Sequence, residues 1–266
     1  MSTPSLAPQF GTPALKVRDL CISFGGVQAV NHCTFVVPET TAVGLIGPNG
    51  AGKSTTIDLI SGFKAADSGH VDFRGQELIG MKPHEISKLG IVRTFQSPRE
   101  WPSLSVLDNV LIGTRGFDRE SLLGGMFATG RQRRAEKESL QHARDLLEDF
   151  GLTPLKNDAA GSLSGGQKRL VEFARIAAAS PSLVILDEPM GGVNPVLGER
   201  IGKAVRALIE QGSSVIVVEH NLRFIEDYCD LVVVMDQGAV IAEGPYESLR
   251  DNPQVVTAYL GDVENA

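Results

Sequence analysis

The residues that most constrain how this chain can fold are Gly47 to Ser54, GPNGAGKS. They match the pattern G-x-x-x-x-G-K-[ST], and the flanking sequence gives the match its meaning. AVGLI (42–46) precedes it and is apolar throughout, as expected of a strand covered on both faces. Residues 54–61 follow and read as a helix, with Gly62 placed to stop it. A glycine-rich turn between a buried strand and a helix can aim successive N–H groups at one point and adds the dipole of the helix N-terminus, which suits a phosphate group. Lys53 is then placed to reach the β- and γ-phosphates of a nucleotide, and the Ser54 hydroxyl to ligate Mg²⁺. The motif by itself says nucleotide and no more.

The rest of the chain predicts the frame around this turn. Strand patterns run from Leu15 to Ile22 and through TFVV (34–37), HVDFRG (70–75), IVRTFQ (91–96), LVILD (183–187) and SVIVVE (214–219). LVVVM (231–235) and AVIAEG (239–244) flank DQG, which reads as a hairpin turn. Between Gln96 and Leu163 the character changes. SPREWPSLS is a proline-broken loop, and Leu140, Ala143, Leu147 and Phe150 then fall at helical spacing before Gly151. The fold class is α/β: a P-loop NTPase core with a mixed, largely parallel sheet, an N-terminal antiparallel β part and an inserted α-helical lobe. The expected organisation is a disordered lead-in over 1–13 and a single domain over 14–261. Its core is 14–96 and 182–248, its helical lobe 97–181, and a C-terminal tail covers 249–266.

Composition narrows the function classes. A net charge of −7 argues against a general basic surface for nucleic acid, so no nucleic-acid partner is expected. Cys21, Cys33 and Cys229 have no metal-like spacing and suit a reducing compartment as small core residues. MSTPSLAPQFGTP has neither the basic nor the apolar region of a signal peptide. No apolar run approaches the ~18 residues of a spanning helix, so work at a membrane requires a partner that spans it. The basic run GRQRRAEKE (130–138) reads as a solvated helix end or loop.

Two further stretches carry chemistry. LVILDEP ends an apolar strand on two carboxylates, at the edge of an α/β sheet where ligands bind. Asp187 is placed to hold Mg²⁺ and Glu188 to orient and polarise an attacking water. An acid adjoining the metal aspartate points to water as nucleophile and away from a kinase. LSGGQKR (163–169) is the second stretch. Ser164 and Gln167 have the spacing of a capping box for the helix GGQKRLVEFARIAAA, which Pro181 stops. Capping does not account for Gly165 and Gly166, which leave room for an approaching anion.

From Leu15 to Gly261 the chain resembles the ATP-binding cassette (ABC) family of ATPases, with the motifs in the family's order. Phe24 in SFGG looks like the aromatic that stacks on adenine. Gly47, Pro48, Asn49, Gly50, Ala51, Gly52, Lys53 and Ser54 match the Walker A loop, and Thr55 follows within the nucleotide-binding set. Gln96 in TFQ is similar to the Q-loop glutamine that senses Mg²⁺ and the partner. Ser164, Gly165, Gly166 and Gln167 match the signature, Asp187 and Glu188 Walker B with its catalytic glutamate, GGVNP (191–195) the D-loop, and His220 the catalytic switch histidine at the γ-phosphate.

The resemblance implies ATP and Mg²⁺ as cofactors and a head-to-tail pair of cassettes, the signature of one facing the Walker A loop of the other. It implies as partners a second ABC ATPase subunit, identical or paralogous, two transmembrane permease subunits and, indirectly, a solute-binding protein, at the cytoplasmic face of the cell membrane. SFGGVQAV, RTFQ, EHNLRFI and VIAEGPYESLRDNPQVVTAYLG are similar to the ATPases of branched-chain, or hydrophobic, amino acid uptake, whose relatives serve urea and short amides. The lobe at 97–181 is expected to meet the permease, with Trp101 in its groove or packed inside the lobe. The alternative is a soluble ABC ATPase of an assembly machine, such as one for iron–sulfur clusters.

Overall fold

The computed structural model describes residues 11–94, 100–114 and 130–261. Gln96, the lead-in through residue 10 and the last residues of the tail lie outside the described residues. The chain divides into two compact units. The first comprises Met1–Gln96, Ser182–Gly192 and Val205–Ala266, the second Ser97–Pro181 and Val193–Ala204. The sequence reading had given Val193–Ala204 to the core segment that follows the lobe.

The first unit is built on two sheets. β1 (Pro13–Phe24) and β2 (Val27–Pro38) form a long antiparallel pair, and β4 (Ser68–Phe73) and β5 (Gln76–Glu77) complete a sheet of order β2-β1-β4-β5. β1 and β2 are longer than their apolar patterns suggest. The ladder shifts register between Val17 and Leu20, and Asp19 has φ 45°. Such a bulge breaks the two-residue alternation that marks a strand in sequence.

The second sheet has the order β10-β9-β3-β8-β7-β6. Its strands are β3 (Ala42–Ile46), β6 (Ile91–Arg93), β7 (Leu183–Asp187), β8 (Ser214–Val218), β9 (Leu231–Asp236) and β10 (Ala239–Gly244). All neighbours are parallel except β9 and β10. Those two are joined through Gln237 and Gly238, both at positive φ, as a two-residue type I′ turn requires. Every residue of β3, β7 and β8 is buried, which is why these strands read as unbroken apolar runs. β6 stops at Arg93, although the Thr94 N–H still donates to Ile185 O at 2.9 Å. Helix α1 (Lys53–Ile60) follows β3, and Gly62 beyond it has φ 73°. α2 (Pro83–Lys88) precedes β6.

The second unit is helical: α3 (Val106–Leu111), α4 (Gly130–Asp149) and α5 (Gly165–Ala178) pack on one another. Ala143 and Leu147 of α4 are buried as the helical spacing predicts, whereas Leu140 and Phe150 are partly exposed. The basic run occupies the start of α4, where Arg134 pairs with Glu138 on an exposed face. α6 (Pro195–Glu210) belongs by its first half to this unit and by its second half to the first. α7 (Leu222–Tyr228), α8 (Tyr246–Leu249) and α9 (Pro253–Gly261) lie in the first unit. Cys21 and Cys33 are buried, Cys229 partly so, and all three are free thiols. Among the described residues no helix is long and apolar enough to cross a membrane.

Candidate nucleotide site

Parallel strands deliver their C-terminal ends to one edge of a sheet, and ligands of α/β folds bind there. Here β3, β8 and β7 lie side by side, with Leu45 paired to Val218 and Val218 to Asp187. The glycine-rich turn, the acid pair and His220 therefore leave the sheet along the same edge.

The turn itself is held tightly. Gly47 has φ 149°, and a Cβ there would stand 2.1 Å from Met235 O. Gly52 has φ 96°, and a Cβ there would stand 2.4 Å from Ala29 O. No other residue type fits either place. Gly52 is also the N-cap of α1, and no side-chain hydrogen bond caps this helix start, whose dipole favours an anion. Pro48 and Ala51 are buried, whereas Asn49, Gly50 and Ser54 are exposed and Thr55 is partly so. Lys53 donates from Nζ to Gly47 O at 2.7 Å and Pro48 O at 2.8 Å, folding its cation over the start of the turn.

Asp187 is buried at the end of β7. Arg93 Nη2 meets its Oδ2 at 3.0 Å, and its own N–H donates to Thr94 Oγ1 at 3.0 Å. Its Oδ1 is buried with no hydrogen-bond partner. Arg93 reaches onward through Nη1 to Asp58 Oδ1 at 2.7 Å and Ser61 Oγ at 3.0 Å, joining β7 to α1. Burial works to raise the pKa of Asp58, but hydrogen bonds and charge from Lys64 and Arg93 outweigh it and hold the carboxyl below its usual range.

Glu188 is half-buried in a left-handed backbone conformation, φ 48°, with its N–H donating to Val218 O at 2.9 Å. His220 is exposed, and its Nδ1 lies 3.7 Å from Glu219 Oε2. Phe24 at the end of β1 is 45% exposed, with Lys64 Nζ over its ring 5.8 Å from the centre.

The signature residues belong to the second unit. Ser164 caps α5 in the expected box: Gln167 N–H donates to Ser164 Oγ at 3.4 Å, and Ser164 N–H to Gln167 Oε1 at 2.9 Å. Trp101 is 42% exposed, Arg175 of α5 stacks 5.0 Å from its ring centre, and Asn109 holds its backbone on both sides. Lys168 binds Glu100 at 2.8 Å, so the start of α5 is pinned to the residue before Trp101. Arg93, Asp58 and Glu219 were not singled out from sequence. The one available signal was an acid, Glu219, closing an otherwise apolar strand.

A family profile described as ABC transporter matches residues 30–191, and one described as branched-chain amino acid ATP-binding cassette transporter matches residues 239–265. The high-affinity branched-chain amino acid transport ATP-binding protein BraF of Pseudomonas aeruginosa is 37% identical over 251 residues, 94% of this chain and 98% of that protein. A probable branched-chain amino acid transport ATP-binding protein, LivG of Archaeoglobus fulgidus, is 40% identical over 247 residues, 93% of this chain and 95% of that one. A solved nucleotide-free ATP-binding cassette from an ABC transporter superposes with TM-score 0.77 at 35% identity, covering 93% of this chain and 99% of its own. A solved ADP conformation of an ATP-binding cassette of an ABC transporter gives TM-score 0.78 at 33% identity, covering 94% of this chain and 99% of its own. Matched over most of its length to such profiles, proteins and structures, the chain belongs to the ATP-binding cassette transporter family and is an ATPase.

Proposed function

We propose that this chain is the ATP-hydrolysing subunit of an importer for branched-chain amino acids or a related small polar solute. The observation that carries this reading is similarity along nearly the whole chain to ATPases named for that transport, including a match over the C-terminal residues 239–265. In this reading it works at the cytoplasmic face of a membrane. It pairs with a second cassette and two spanning permease subunits, with a solute-binding protein acting through them.

The residues present fit Mg²⁺. Asp187 Oδ1 is a buried oxygen with no partner, and Ser54 offers an exposed hydroxyl. Bound there with Asp187, Ser54 and Gln96, Mg²⁺ would supply charge neutralisation at the phosphates. Residues 47–55 bind the phosphates, with Lys53 moving from its two carbonyls to the β- and γ-oxygens. Phe24 stacks on adenine. Glu188 orients the attacking water and accepts its proton, and His220 contacts the γ-phosphate. Ser164, Gly165, Gly166 and Gln167 reach the nucleotide held by the partner cassette.

Purification of the tagged chain from solubilised membranes tests the assignment: spanning subunits should accompany it, and leucine uptake by the reconstituted complex should require Glu188. Recovery with soluble partners alone would favour the assembly-machine reading. Half-exposed Trp101 favours a place in the permease groove, so Trp101→Ala should weaken that complex while sparing ATP binding.

A further inference from the structure

The carboxylate of Glu219 is wholly buried, one residue beyond β8. Its Oε1 accepts the Met190 N–H at 2.6 Å. Its Oε2 accepts the N–H groups of His220 at 3.0 Å and Asn221 at 3.2 Å. Met190 lies two residues past Glu188, on the chain leaving β7, whereas His220 and Asn221 lie on the chain leaving β8. The side chain of Asn221 in turn caps α7, accepting from Phe224 N–H at 3.2 Å. One carboxylate thus ties together the two loops that carry Glu188 and His220.

Glu188 shows why such a tie is needed. Its φ of 48° is sparsely populated for a residue with a Cβ and persists only where the surroundings over-determine it. Its own N–H is fixed by Val218 O, and the Met190 N–H two residues on is fixed by Glu219. Consecutive residues of one strand end therefore hold the strained residue from both flanks. All three partners are N–H donors, so the side chain must present an acceptor to each of them. A glutamine would turn an NH₂ group toward at least one of the three N–H donors.

We propose that Glu219 is a positioning residue for hydrolysis: it locks the loop of Glu188 to the turn of His220, so that the water-orienting carboxylate and the γ-phosphate contact move as one body. The inference rests on the roles proposed above for Glu188 and His220.

Glu219→Gln in the full-length chain tests it. The expected result is a kcat lower by about 10- to 100-fold, the scale for displacing a catalytic group by around an ångström. Equilibrium ATP affinity should stay within about twofold, the split expected when only transition-state geometry is lost. Hydrogen exchange should accelerate at the Met190 and Asn221 amides and not at α1. Because the residue acts through Glu188, adding Glu219→Gln to Glu188→Gln should lower the remaining turnover by less than about threefold, as coupled residues do. An unchanged kcat overturns the proposal. So does a fall in kcat matched by an equal loss of ATP affinity, or a full multiplicative loss in the double variant. Should the glutamine variant not fold, Glu219→Asp serves. It is too short to reach Met190 while staying near His220, and it should show the same split with a smaller drop; normal kcat there overturns the proposal equally. Ordinary turnover in Glu188→Gln would instead sink the reading of Glu188 itself, whereas an inactive Glu188→Gln beside a normal Glu219→Gln sinks only this inference.

Discussion

Arg93→Met should be the most destabilising single change near the site. The guanidinium is 10% exposed and bridges Asp187, at 7%, to Asp58, at 19%. Methionine fills much of the space but leaves the Asp187 carboxylate buried with one oxygen newly unpaired and the other already so. Removing one partner of a buried ion pair costs about 3–5 kcal/mol, far more than an exposed pair would contribute. In a chain of this size each kcal/mol moves the melting temperature by about 2–4 °C, so a fall of roughly 6–20 °C is expected. Thermal unfolding of the full-length chain, followed by circular dichroism, measures it. Arg93→Lys keeps the charge but cannot fork to both acids, and should fall between the two. Acid sharpens the test. Asp58 has a depressed pKa in the folded chain, so its stabilisation is complete above the unfolded value near 3.9 and disappears as pH falls through the lower folded value. Without Arg93 that folded pKa rises, and the acid transition should begin at higher pH than in the parent. A melting temperature within about 3 °C of the parent would refute the reasoning, because it would mean that Asp187 does not need its cation.

Other substitutions separate the remaining roles. Glu188→Gln should keep ATP binding and cut turnover by about 10²- to 10⁴-fold, the scale of a positioned base, as measured by phosphate release. Lys53→Ala should weaken ATP affinity by at least about tenfold, read by titration with a fluorescent nucleotide, because a cation at the β- and γ-phosphates is lost. Gly165→Val should leave ATP affinity of a single chain within about twofold while abolishing ATP-driven dimerisation in sedimentation and most of the hydrolysis, a loss of transition-state contacts alone.

Three strands of the second sheet were legible residue by residue. AVGLI, LVILD and AVIAEG match β3, β7 and β10 at both ends, because nothing in a fully covered or hairpin-bounded strand interrupts its pattern. The β1–β2 pair was legible only in part, since its bulge at Arg18–Asp19 throws the alternation out of phase. Charge was the harder signal. Arg169 and Glu172 look like surface residues of an amphipathic helix, yet they form a 2.9 Å pair with each side chain 4% exposed. Arg93 and Asp58 are similar: each is an ordinary polar letter in sequence and is paired with a residue on another strand or helix, while Glu219 reaches Met190 on the loop that leaves β7. The residues expected to touch the phosphates could be named from sequence because their spacing is local. The buried polar groups packed beside them could not, because their pairing exists only after folding.

The two glycine motifs differ in what demands the glycine. At Gly47 the fold demands it: the backbone is left-handed, and any Cβ would strike the Met235 carbonyl. At Gly165 the fold demands nothing. The residue opens α5 without a positive φ, and beyond its chain neighbours and its own helix backbone no described atom lies within 4 Å of where its Cβ would stand. Alanine there would favour the helix by up to about 1 kcal/mol, so within this chain the glycine is a small net cost. Gly47 would thus be kept by stability alone, and Gly166 by packing, since a Cβ there would stand 2.6 Å from Leu197 Cδ2, whereas Gly165 gains nothing from the chain that carries it. A glycine that helps neither packing nor backbone geometry is best accounted for by something that approaches from outside. The phosphates held by a second cassette, with their need for bare N–H groups, have the required chemistry.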